Sequence, residues 1–272
     1  MKSAARIFDL SLGQMLWSRR SVFLGVVVSG PIVLAAALRL AEAAGLMFNL
    51  NKPRPVGASI YGMMVWLLYV RFLVPVLGVF YGTSLIADEV DDKTLTYLFT
   101  RPIQRGAVII GKYLAYLVCT VLLLLPSVVV VFFLVVPLGT PLGRGATIAQ
   151  AFPTLLTDLG MLALGLAAYG AVFAFVGARL NRPLVVGLLF ALGWEPAVLI
   201  APGYLKRVTV AYYLQALVRH QVPQDSPASA LLQIFREIPT VSTSLIGLAL
   251  IVGVALWLAA WTVERRDYVL EQ

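Results

Sequence analysis

GTSLIADEVDDKTLTYLFTRPIQRGAVIIGKYLAYL, residues 82–117, passes from apolar to polar and back to apolar. The polar middle, ADEVDDKTLTYLFTRPIQRG (87–106), holds four acidic and three basic residues. On either side lies an apolar run long enough to cross a bilayer. Asp88, Glu89, Asp91 and Asp92 stand at the start of a helix-compatible run, where acidic side chains favour the positive end of the helix dipole. Pro102 ends it, because the residue before a proline is driven out of the helical region. At about 100° per residue, Leu95, Leu98 and Phe99 fall on one side and Val90 and Tyr97 on the other. Such a helix can touch the membrane end of its own chain and a second, soluble protein at once.

Outward from this segment the chain is a membrane protein. It is 60% hydrophobic and 12% charged, with a mean hydropathy of +0.91. A soluble globule of 272 residues cannot hide that much apolar surface. Six stretches read as spans: 22–38, 60–86, 107–136, 155–178, 184–201 and 245–263. None alternates with period two, so helices and not a barrel are expected. The predicted fold is all-α, a single transmembrane domain over residues 1–272.

Residues 1–20 mix Ile7, Phe8, Leu10, Leu12, Met15, Leu16 and Trp17 with charges, the pattern of a helix lying in the interface. Ser18-Arg19-Arg20 before an apolar run resembles an export signal, but five more spans follow, which makes it the start of an uncleaved first span. The loop 202–243 contains two helix-compatible pieces, 205–218 and 228–237, parted by Pro223 and Pro227. Its aromatics, Tyr204, Tyr212, Tyr213 and Phe235, argue for order, and short outer-leaflet helices that cap an outer gate are expected. In the fourth span small residues recur every four positions, as Ala163, Ala167, Ala171 and as Gly170, Ala174, Ala178, so close helix packing is expected.

Placing the N-terminus inside puts twelve Lys and Arg on the cytoplasmic side against seven outside, with Arg19, Arg20, Arg179, Arg182, Arg265 and Arg266 directly at span ends. Both termini, and residues 87–106, are therefore expected in the cytoplasm. The net charge of +8 is scattered over span ends with no interleaved aromatics, which excludes nucleic acid as a partner. Cys119 lies alone in a span and His220 alone in a loop, so no metal site, disulfide or triad is expected. Neither GxxxxGK[ST] nor GxGxxG is present. Arg71 and Glu195 each fall about eleven residues into a span, near mid-bilayer, where a charge is costly and by default functional or paired. They are expected to pair or to line a polar translocation path. Asp158, and Arg39 with Glu42, read as interfacial and structural.

Residues 82–117 resemble the signature of ABC-2-type transporter permeases. A span ending in small and apolar residues leads to Glu89, Thr94–Leu95, Pro102 with Arg105, and Gly111–Lys112 opening the next span. Glu264-Arg265-Arg266-Asp267 after the last span, Arg19–Arg20 before the first and the six-span count agree. Lys93 stands where the family often carries glycine. The resemblance implies an ABC-2 (type V exporter-like) architecture without its own ATPase. ATP and Mg would be bound by two separate ABC ATPase subunits, and a second copy of this permease or a homologous one would complete the transporter. Residues 87–106 would be the coupling helix, with Asp88, Glu89, Asp91, Thr94, Leu95, Leu98, Phe99, Pro102 and Arg105 facing the ATPase and Gly111 and Lys112 at its exit. The setting would be the inner membrane, with 202–243 open to a periplasmic partner.

Three other classes fit parts of the pattern. Asp-Glu-Val-Asp-Asp could hold magnesium diphosphate as in membrane prenyltransferases, though those need two facing clusters and more spans. A secondary carrier should show inverted repeats, of which Pro75, Pro126 and Pro196 are the only hint. A permease-like subunit that passes motion to a periplasmic partner without moving a substrate would share this sequence pattern. The apolar interior favours lipids, amphiphilic drugs or peptides, moved outward.

Overall fold

The computed structural model describes residues 11–15, 17–45, 57–85, 105–138, 144–180, 182–200, 204–218 and 239–265. Regular structure among them is entirely helical. Helix α1 is Arg19–Ala43, α2 covers 57–85, α3 is Arg105–Val135 and α4 is Arg144–Arg179. Helix α5 covers 183–200, α6 is Val210–Leu217 behind a 3-10 turn at Tyr204–Val208, and α7 is Val241–Arg265. The stretches expected at 1–10, 87–104 and 228–237 lie outside the described residues.

Among the described residues, five helices are long and apolar enough to cross a membrane: Arg20–Ala43, Gly57–Leu85, Val108–Val135, Ile148–Arg179 and Val241–Val263. The fifth expected span is a shorter apolar helix, Pro183–Val198. Its apolar run is bounded by Arg182 and Pro183 at one end and interrupted by Glu195–Pro196 at the other. The fourth helix starts well before the expected residue 155 and carries Pro153 inside it. Helix α1 is closed by Gly45 at φ 72, a left-handed conformation that costs glycine least.

The centre of the bundle is α2, the most buried of the long helices. It is wound loosely in two π segments, Val65–Leu73 and Gly78–Gly82, with the Val74 N–H reaching back to the Tyr69 carbonyl. Against it runs the small-residue stripe of α4. A methyl group added at Gly177 would lie 2.5 Å from the Thr83 carbonyl oxygen, and one at Gly170 would lie 2.0 Å from the Tyr116 ring. The stripe thus packs inside this chain, onto α2 and α3, as small residues permit in lipid.

Buried tyrosines tie the helices together. Tyr113 and Tyr116 of α3 donate to the Ala167 and Leu166 carbonyls of α4, each at 2.8 Å. Ser127 of α3 donates to the Val28 carbonyl at 3.2 Å, in the turn preceding Pro31, and Tyr69 completes the link at 2.7 Å. A phenol in an apolar interior needs such a partner, since an unsatisfied hydroxyl there is costly. The outward-facing residues are large and apolar, among them Val22, Leu189 and Ile246 at 70%, 72% and 68% exposure. That surface suits hydrocarbon and not water.

Candidate functional site

Two places carry the residues singled out in the sequence. The first is the base of the polar segment. Asp88, Glu89, Asp91, Thr94, Leu95, Leu98, Phe99 and Pro102 lie outside the described residues, as does the side chain of Arg105, whose backbone opens α3. Both anchors of the segment are described. Gly111 is buried in α3, and the Lys112 ammonium beside it donates to the Leu85 carbonyl at 2.9 Å. Leu85 lies in the last described turn of α2. Lys112 therefore ties together the two helices between which residues 86–104 are strung.

The neighbouring contacts extend this tie to the N-terminal region. Tyr81, in the last turns of α2, donates to Ser21 at 2.7 Å. Ser21 bonds the Met15 carbonyl, which also accepts from Ser18 at 3.1 Å. Ser18 caps α1 by accepting from the Ser21 N–H. One hydrogen-bonded group thus joins the 11–15 helical turn, the start of α1 and the end of α2.

The second place lies within the bundle. Glu195 of α5 is 2% exposed. Its carboxylate accepts from the Tyr169 hydroxyl of α4 at 2.5 Å and from the Ala211 N–H at 2.8 Å. The Val210 amide faces it as well. These are the first amides of α6, and Thr209, in the capping position, spends its hydroxyl on the Lys206 carbonyl instead. Glu195 consequently caps α6 from another helix, a carboxylate at the positive end of a helix. Arg71, in the first π segment of α2, is half-buried with its guanidinium over the Trp66 ring, 5.3 Å from the centroid. Its charge acts on both Glu195 and Tyr169. The structure brings Glu195 and Tyr169 together and places the Arg71 guanidinium over Trp66.

Tyr169 and the α6 amides were not singled out in the sequence. Tyr169 stands inside the small-residue stripe, and a bulky phenol in such a stripe is the one signal the sequence offers. Asp158 is 1% exposed and faces the Tyr61 hydroxyl. Because α4 starts at Arg144, Asp158 is already about four turns inside the helix. Arg39 and Glu42 form an ion pair one turn apart, at 2.6 Å.

Comparison with known families gives one result. The model of the family described as ABC-2 family transporter protein matches residues 7–267. No curated protein matches the chain.

Proposed function

The chain belongs to the ABC-2 family of transporter proteins, and on that premise we propose that it is the membrane subunit of an ATP-driven exporter for amphiphilic lipid-, drug- or peptide-like molecules. The observation that carries this reading is the family match, which covers nearly the whole chain and with it all the apolar helices. In this reading two copies of the chain, or this chain and a homologous one, form the pathway. Two separate ATPase subunits bind ATP and Mg and supply the energy. Both termini and residues 87–106 face the cytoplasm, and the membrane is the inner one.

Residues 87–106 act as the coupling helix, seated by Leu95, Leu98 and Phe99 with Asp88, Glu89, Asp91, Thr94, Pro102 and Arg105 around them. The Lys112–Leu85 bond supports this role, because a push on a segment whose two ends are tied moves α2 and α3 together. The Tyr81–Ser21 contact would carry part of that motion to α1 and the interfacial helix. Arg71 and Glu195 are charged groups set in the bundle and are assigned to the translocation path.

The test is reconstitution. The chain co-expressed with its ATPase should move a fluorescent amphiphile across proteoliposomes only when ATP is hydrolysed. Leu95→Asp and Leu98→Asp should leave the bundle folded and abolish ATP-dependent movement. Movement driven equally well by an ion gradient without ATP would refute the proposal.

A further inference from the structure

We propose that Glu195 and Tyr169 form a latch that holds α6 against the bundle, so that α6 closes the outward side of the pathway until the latch releases. The direction of closure rests on the reading above that 202–243 faces outward. The latch itself rests on the geometry alone.

Helix α6 has eight residues, too few to be stable by itself. Its first N–H groups have no helical partner and, within an apolar bundle, must find an acceptor. Thr209 does not supply one, whereas Glu195 does, at 2.8 Å from the Ala211 nitrogen. Glu195 is in turn held by Tyr169, a side chain with little room to move. The Tyr169 ring stacks on Phe173 with 11° between planes, and a methyl group added at Gly78 would lie 2.7 Å from its Cβ. Tyr169 is thus a rigid post on α4, and Glu195 is the link between that post and α6.

Two further contacts of α6 close against glycine. Leu214 sits over Gly165 of α4, and Tyr213 over Gly247 of α7, where an added methyl would lie 2.5 Å from the ring. These contacts shape the seat but do not fix the N-terminal end of α6. Helix α5 meets the bundle through a narrow buried stripe, Gly187, Ala191, Glu195 and Val198, with Val185, Leu189 and Trp194 exposed. A shift of α5 along α4 would therefore be felt by α6 chiefly at Glu195. Tyr169 and Glu195 are positioning residues in this account, acting on transport through α6.

The latch can be read by thiol accessibility. In a Cys119→Ser background, Leu214→Cys places a probe at a position that is 1% exposed while α6 is seated. Maleimide labelling is followed in intact and permeabilised cells, with no ATPase co-expressed. Glu195→Ala and Tyr169→Phe should each raise the labelling rate roughly fivefold, as loss of a helix cap shifts the seated population. Glu195→Gln keeps one oxygen to accept from the Ala211 N–H, and its amide NH2 can donate to the Tyr169 hydroxyl, so it should label nearly as slowly as the parent. Equal rates in the parent, Glu195→Ala and Tyr169→Phe would overturn the latch, as would a Gln variant as fast as the Ala variant. Tyr169→Phe removes a single hydroxyl, so the test survives if Glu195→Ala fails to fold. Reaction only after permeabilisation would count against the outward placement of α6 and leave the latch standing. Failure of ATP-driven transport would count against the exporter reading alone.

Discussion

Glu195 shows what a buried carboxylate does in a largely apolar bundle. Replacing it with leucine leaves the Tyr169 hydroxyl and the α6 amides without an acceptor, at about 1–3 kcal/mol for an unsatisfied buried group. Replacing Arg71 with leucine removes a half-buried cation over Trp66, worth about 1 kcal/mol. Glu195→Leu should therefore lower the thermal midpoint in detergent more than Arg71→Leu does, while both reduce transport. Equal midpoints would show that the hydrogen bonds at Glu195 contribute little. The sequence singled out both charges because an ionisable residue within an apolar run is conspicuous by itself. It did not reveal Tyr169, since pairing depends on how α4 is rotated against α5, and hydropathy carries no information on rotation. Composition marks where a run becomes apolar, not where the helix begins, and α4 begins about three turns before residue 155.

At the scale of elements, the tie between α2 and α3 is the feature that sequence reading only partly anticipated. The Gly111–Lys112 pair was legible as a motif, but its partner is a backbone carbonyl, which any residue at position 85 would offer. Lys112→Met should leave the spans in place and loosen the two anchors of the coupling segment. ATP hydrolysis by the complex would then continue while transport per ATP falls, and Lys112→Arg should restore part of it. A Met variant with unchanged transport per ATP would remove Lys112 from the coupling route. The π segments of α2 were not legible either. Periodicity separates a helix from a strand, but an extra residue per turn leaves the apolar composition unchanged. The close seat of α4 on α2 and α3 was legible from its small residues. Gly170→Val should cost about 1–3 kcal/mol or more by overpacking against Tyr116, read as loss of monodisperse protein on extraction.

For the whole molecule, the membrane class and the family could be read from the chain itself, because both rest on long apolar runs and a local motif. The fifth helix continues through Glu195–Pro196 to residue 200, so the site lies within a continuous helix. The large apolar faces of α1, α5 and α7 leave area for lipid and for the second copy that the exporter reading requires. The central claim is that residues 87–106 seat in a separate ATPase. It is tested most directly by a photoreactive amino acid at position 98 in native membranes, followed by identification of the cross-linked product. The account predicts a cross-link to a protein that binds and hydrolyses ATP, lost when Leu95 is changed to aspartate. A product joined only to lipid, or to a protein without a nucleotide site, would contradict it.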